Sequence, residues 1–198
     1  MTEAAKEKKL PDIRKEAEGH KCQVRQALYY LEEFLDGPMC GKCFPCEMGC
    51  YEARVRLVNL ISGQGADEDL AALGRIAAEM SVTSRCKKGK DTAAYIIEWL
   101  GTDVFAEHVA HHCPAGECIS LIEYRVIPDK CIMCAKCQDV CKDNAVIGEK
   151  QVSYKRGDLP FTINQKRCTR CGECIKVCPT AAIEIVSLKS TAAEEAKV

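Results

Sequence analysis

A pair of matching cysteine runs constrains this chain more than any other feature. They are 131-CIMCAKCQDVC-141 and 168-CTRCGECIKVC-178, each spaced C-x2-C-x2-C-x3-C. A four-iron cube needs four thiolates in a compact array, and three can come from one tight loop with two residues between neighbours. The fourth cannot come from that loop. In two-cluster folds the last cysteine of each run ligates the cube of the other. The spacing therefore assigns Cys131, Cys134, Cys137 and Cys178 to one [4Fe–4S] cluster, and Cys168, Cys171, Cys174 and Cys141 to a second. Zinc is the competing reading of C-x2-C pairs, but it needs two such pairs and no third cysteine at the next interval. The second run continues into Pro179 and the first into Lys142. A proline there shapes the helix start and is not a ligand, so its absence bears on solvation and potential rather than on assembly.

Sixteen cysteines in 198 residues could also staple a secreted scaffold. The start, MTEAAKEKKLPDIRKEAEGHK, is charged and carries neither an apolar run nor a twin-arginine leader. No segment holds the roughly 18 uninterrupted apolar residues that a membrane span requires. The expectation is a cytoplasmic chain with no membrane span, whose thiols are free or on metal. Lys+Arg at 28 against Asp+Glu at 29, a net charge of −1, gives no support for binding nucleic acid or a membrane surface.

Residues 1–20 are rich in lysine and glutamate and read as a flexible arm. Residues 21–112 read as a small helical bundle. Its first helix runs from Cys22 to Asp36, with Val24, Ala27, Leu28, Leu31 and Leu35 facing in and Gly37-Pro38 as the stop. A second runs from about Glu47 to Ile61 with Val55, Val58 and Ile61 inward. A third covers 68–80, capped by Asp67, with Leu70, Leu73, Ala77 and Met80 inward. A fourth is capped by Asp91 or Thr92 and runs through Leu100, carrying Ala93, Ile96 and Ile97. A short fifth covers 103–110. Tyr29, Tyr30, Tyr95 and Trp99 read as packing residues. Residues 113–130 are a connector in which 121-LIEYRVIPDK-130 passes from helix into a short strand. Residues 131–188 form an internal repeat, each cysteine run being followed by an apolar strand, 145-AVI-147 or 181-AAIEIV-186, with a short helix near each fourth cysteine. The stretch 150-KQVSYKRGDLP-160 reads as an inserted hairpin or loop, a candidate docking surface. Residues 189–198 are a polar tail.

A third cysteine motif lies upstream. Cys40-Gly41-Lys42-Cys43-Phe44-Pro45-Cys46 supplies three thiolates from one loop. The natural fourth is Cys86, in the loop 81-SVTSRCKKG-89 between the third and fourth helices. Here the chain resembles the NADH-binding flavoprotein (diaphorase) subunit of respiratory complex I and its relatives in NAD-linked or bifurcating hydrogenases and formate dehydrogenases. Those subunits end in a helical bundle carrying C-G-x-C-x-P-C with one further cysteine about forty residues on. Phe105, Glu107 and His108 resemble the F-x-x-H-type end of that bundle. The hydrogenase-type subunits continue with C-P-A-G-x-C and a two-cluster ferredoxin domain, as 113-CPAGEC-118 and the paired runs do here. The resemblance covers roughly 37–186. It implies a third [4Fe–4S] cluster on Cys40, Cys43, Cys46 and Cys86. The family's FMN- and NAD-binding domain, with its glycine-rich loop, has no counterpart, so flavin and nicotinamide are expected on another polypeptide and not on this chain.

Cys22, Cys50, Cys113 and Cys118 remain. Cys113 and Cys118 sit beside His108, His111 and His112, and such Cys/His clusters suit a closed zinc site. The candidate ligands are His108, Cys113 and Cys118, with Cys50 or Cys22 as the fourth. A fourth iron–sulfur cluster on Cys22, Cys50, Cys113 and Cys118, or buried free thiols, are the other uses open to them.

The fold class expected is α + α/β: a small four-helix bundle carrying one [4Fe–4S] cluster, then a two-cluster bacterial-type ferredoxin domain. The function expected is an electron-transfer subunit with no catalysis of its own. It relays single electrons between a flavoprotein subunit (FMN or FAD, NAD-type) and a further redox or catalytic subunit: a hydrogenase, a formate dehydrogenase, an aldehyde or acyl-CoA reductase, or a bifurcating complex. Exposed clusters tolerate oxygen poorly, so an anaerobic setting is expected. The rivals are a free-standing polyferredoxin, a structural zinc protein and an enzyme acting at an open iron site. Four cysteines for every proposed cube argue against the last.

Overall fold

The computed structural model describes residues 8–150 and 160–188. The proposed tail lies outside the described residues, as does nearly all of the expected hairpin at 150–160. The chain divides into two units, Met1–Leu121 and Ile122–Val198. The expected connector 113–130 is thus not one element: its first part belongs to the helical unit and its second to the cluster-repeat unit.

The first unit holds six described helices: α1 Leu10–Ala17, α2 Gln23–Asp36, α3 Phe44–Ser62, α4 Asp67–Thr83, α5 Lys87–Leu100 and α6 Asp103–Val109. Helices α2 to α5 pack in chain order, and α5 returns to α2. The expectation of a flexible arm through residue 20 is corrected by α1. Pro11 sits in its first turn, where its missing N–H leaves no bond unmade, and Leu10, Ile13 and Ala17 are buried on the side packed against α2. The lysines and glutamates around them form only its solvent face.

In α2 the buried positions are Val24, Ala27, Tyr30, Leu31 and Phe34, while Leu28 and Leu35 are half-buried. The Tyr30 ring lies edge-on to Tyr95 and Trp99 of α5, at 5.1 and 5.6 Å between centroids. That is the packing role expected of these aromatics. In α3 the expected face is wrong. Val55 and Val58 are exposed, and Cys46, Cys50, Ala53, Leu57 and Leu60 are buried. The buried stripe is in phase with Cys46, so small residues face the neighbouring helices and the valines face out. Helix α3 ends at Gly63, whose φ of 78° makes the left-handed turn.

Two expected caps are also corrected. Ala66, not Asp67, precedes α4, and Asp69 reaches back so that its Oδ2 accepts from the Ala66 N–H at 2.9 Å. Helix α5 starts at Lys87, directly after Cys86, so Asp91 and Thr92 lie inside it.

The second unit carries β1 Ile122–Val126, α7 Lys136–Asp139, β2 Val146–Ile147, β3 Thr162–Ile163, α8 Glu173–Val177 and β4 Ile183–Ser187. Strand β1 pairs antiparallel with β4, and β2 with β3. Both described sheets are antiparallel pairs, so this unit is α+β rather than the expected α/β.

The internal repeat extends to single backbone bonds. The Ile127 N–H donates to Ala182 O at 2.7 Å, and its equivalent in the repeat, the Asn164 N–H, donates to Ala145 O at 2.8 Å. Left-handed residues recur in the same register: Met133 with Arg170, Ala135 with Gly172, and Asn144 with Ala181. These turns curl each C-x2-C-x2-C loop tightly enough to bring its three thiols to one side. The third cysteines, Cys137 and Cys174, lie on α7 and α8, and each fourth cysteine follows its helix.

Candidate metal centres

The described structure contains three hollows each lined by four cysteines. The first is bounded by Cys40, Cys43, Cys46 and Cys86, with Phe34, Pro38 and Met39 among its walls. Cys43 is the residue before α3, Cys86 the residue before α5, and Cys46 lies in the first turn of α3. Two helix N-termini therefore flank the thiols. Their partial positive charge favours thiolates and any anionic group the thiolates hold. Gly41, at φ 62°, turns the loop between Cys40 and Cys43.

The other two hollows lie in the second unit. One is lined by Cys131, Cys134, Cys137 and Cys178, with Val126, Phe161 and Ile183. The other is lined by Cys141, Cys168, Cys171 and Cys174, with Tyr124, Val146 and Ile163. The fourth cysteine of each run thus stands at the hollow of the other run. Burial pushes the Cys137 thiol up and holds Cys174 at about 11. Burial acts the same way on Cys178, but the Ala182 and Thr180 N–H groups outweigh it and bring that thiol down. The Ala182 N–H lies 3.2 Å from Cys178 Sγ, and its repeat equivalent, Ala145, donates to Cys141 Sγ at 3.3 Å. Four thiols around each hollow fit an iron–sulfur cube, and at the two hollows of the second unit N–H groups are also aimed at sulfur.

A fourth cluster of side chains is of a different kind. Cys22, His108, Cys113 and Cys118 are all buried, and their ligating atoms lie within 4.8 Å of one another. His108 Nε2 is 3.2 Å from Cys22 Sγ and 3.3 Å from Cys118 Sγ, and the two sulfurs are 3.6 Å apart. A tetrahedral ion with bonds of about 2.0–2.3 Å spaces its ligands by roughly this much. The Nδ1 of His108 lies 2.7 Å from Val104 O, a contact that turns Nε2 toward the thiols. Burial alone would lower the His108 pKa, but the Cys113 and Cys22 sulfurs beside it outweigh burial and raise it to about 10. The same contacts split the thiols, with Cys113 pulled down by Cys118 and Cys22, and Cys118 pushed up.

Cys50, the candidate fourth zinc ligand, is outside this group. It lies one turn after Cys46 on α3, fully buried, where its thiol beside Cys46 lowers the Cys46 pKa against burial. Cys22, the other candidate, completes the set. It immediately precedes α2, and Glu117 fixes it there by accepting the Cys22 N–H at 2.8 Å while pairing with His20 at 2.9 Å. The structure thus gathers His108, rather than Cys50, closely with Cys22, Cys113 and Cys118. Among the described residues, no helix is long and apolar enough to cross a membrane.

Comparison with known proteins agrees with this division. Residues 26–112 match the NADH-ubiquinone oxidoreductase-F iron–sulfur binding region, and residues 122–182 match the 4Fe–4S dicluster domain. The NADP-reducing hydrogenase subunit HndC of Solidesulfovibrio fructosivorans is 32% identical over 135 residues, which is 66% of this chain and 27% of that subunit. Putative formate dehydrogenases of Staphylococcus haemolyticus and Staphylococcus aureus (strain USA300) are 34% and 32% identical over 77 residues, 35% of this chain and 8% of each relative. The chain thus spans about a quarter of the hydrogenase subunit and less than a tenth of the formate dehydrogenases.

Proposed function

We propose that the chain is an iron–sulfur electron-transfer subunit, a reading its similarity to hydrogenase and formate dehydrogenase proteins supports, and that it carries three [4Fe–4S] clusters as a one-electron relay. One sits on Cys40, Cys43, Cys46 and Cys86, one on Cys131, Cys134, Cys137 and Cys178, and one on Cys168, Cys171, Cys174 and Cys141. The observation that supports this most is that each hollow is lined by one complete quartet of those cysteines. When bound, such clusters gain and lose single electrons. The chain's part is to hold them in apolar walls and to aim N–H groups at their sulfurs, which sets their potentials. The relay runs between a flavin-bearing partner, on the side of the Cys40/43/46/86 cluster, and a further redox subunit.

Anaerobic metal analysis tests this reading. About twelve iron atoms per chain are expected, at four for each cube. Reduced-state EPR of Cys86→Ala should lose one cluster signal and keep the rest. Unchanged signals would remove the upstream assignment, and zinc with little iron would defeat the relay. Purification with no flavoprotein attached would favour a free-standing ferredoxin.

The buried Cys22, His108, Cys113 and Cys118 set supports a structural zinc ion beside the relay. Closely spaced ligands of this kind suit a single ion better than a cube, and four protein ligands leave no open position. One zinc per chain that survives Cys86→Ala is the expected result.

A further inference from the structure

The first hollow has a neighbour that ligation does not explain. Ser84 is 2% exposed, and its Oγ finds no hydrogen-bond partner among the described residues. An unpaired buried hydroxyl is costly, so such a group calls for an acceptor. Its surroundings name one. Ser84 follows α4, donating its own N–H to Met80 O at 3.1 Å, and stands two residues before Cys86. Opposite it is Gly89, in the first turn of α5. A Cβ on Gly89 would lie 2.8 Å from Ser84 Oγ and 3.1 Å from Cys46 Sγ. The hydroxyl and the ligand sulfur therefore border one small space, which a glycine at 89 leaves open. The Cys46 sulfur stands across that gap from the unpaired hydroxyl.

We propose that Ser84 donates a hydrogen bond to sulfur of the Cys40/43/46/86 centre and so raises that centre's potential. This rests on the cluster reading of the hollow. Reduction adds negative charge to the iron–sulfur group, and a fixed O–H donor stabilises the more negative state more strongly. Ser84 is not a ligand in this account: the cluster assembles without it and becomes harder to reduce.

The test compares the full wild-type chain with Ser84→Ala and Ser84→Thr, each loaded anaerobically and titrated by EPR. In Ser84→Ala the ratio of reduced to oxidised upstream cluster at a fixed mediator poise should fall about three- to tenfold, the worth of one hydrogen bond. The other two clusters should not move, and Ser84→Thr should restore the ratio. Electron–nuclear double resonance of the reduced wild-type cluster should show an exchangeable proton coupling that vanishes in Ser84→Ala. An unchanged ratio in an assembled Ser84→Ala, equal shifts in the Ala and Thr variants, or no such coupling in the wild type would each overturn the inference. The cluster reading itself stands or falls separately, on the response to Cys86→Ala.

Discussion

Cys22 and His108 are 86 residues apart in the chain, yet the Cys22 sulfur lies 3.2 Å from His108 Nε2 in the buried interior of the helical unit. That contact makes Cys22, and not Cys50, the residue whose loss should cost the helical unit its zinc. Cys22→Ala is expected to lose about one equivalent of zinc and to lower the unfolding midpoint by about 5 °C or more. Cys50→Ala should keep the zinc. The Cys113 and Cys22 sulfurs raise the His108 pKa against burial, and zinc must displace the proton on its nitrogen as well as those on the thiols. Affinity should therefore weaken as pH falls, as isothermal titration in a pH series would measure.

The difference between those two cysteines marks where sequence reasoning stops. The cysteines that line each hollow of the second unit are legible in the sequence because their spacing is local, and the exchange of Cys141 and Cys178 follows from loop geometry. Cys86 was legible as the cysteine in the loop before the fourth expected helix. Nothing local distinguishes Cys22 from Cys50 as a partner of His108. Their distance to it is set by how α2, α3 and α6 pack. The same limit hid α1, whose three buried residues are diluted by lysine and glutamate. It also reversed α3, where bulky Val55 and Val58 looked like core although the buried stripe is built from Cys46, Cys50, Ala53, Leu57 and Leu60. The role of Gly89 lies in the space it leaves between Ser84 and Cys46, which no spacing records.

Asp69 should give the helical unit a measurable acid dependence. It is buried, and burial alone would raise its pKa. The Ala66 N–H, with Arg56 at 3.1 Å and Asn59 at 3.3 Å, outweighs burial and holds it below the ordinary carboxylate value. A depressed folded-state pKa stabilises fully above the unfolded value of about 3.9 and is lost as pH falls through the folded one. Asp69→Asn should thus destabilise by about 1–2 kcal/mol at pH 7. In denaturant melts the gap to wild type should close below about pH 4. A gap that stays constant to pH 3 would count against the ion-pair account.

The repeat supplies an internal control on backbone strain. Gly172 and Ala135 occupy equivalent positions with φ of 80° and 66°. Gly172→Ala should destabilise the iron-loaded protein by about 1 kcal/mol, since a Cβ is disfavoured in the left-handed region. Its new methyl meets only Tyr124 Oη, at 3.5 Å, so sterics add little. Ala135→Gly should be neutral or stabilising by up to about 1 kcal/mol. Paired melts of the two variants check the contrast in sign.

The exchange of fourth cysteines makes the strongest demand on the second unit. Cys141 follows the run that supplies Cys131, Cys134 and Cys137, yet it lines the hollow of Cys168, Cys171 and Cys174. Cys178 lines the hollow of the first run. Cys141→Ser should therefore perturb the same cluster as Cys171→Ser, and Cys178→Ser the same cluster as Cys134→Ser. If each run were self-contained, the pairing would be the opposite: Cys141 with Cys134, and Cys178 with Cys171. EPR of the reduced variants separates the two, because a serine ligand shifts the signal of one cube and leaves its neighbour unaltered. The double variants sharpen the comparison. Cys141→Ser with Cys171→Ser should damage one cube and spare the other, leaving about eight irons per chain with the upstream cluster intact. Cys141→Ser with Cys134→Ser should damage both cubes of the unit, leaving about four.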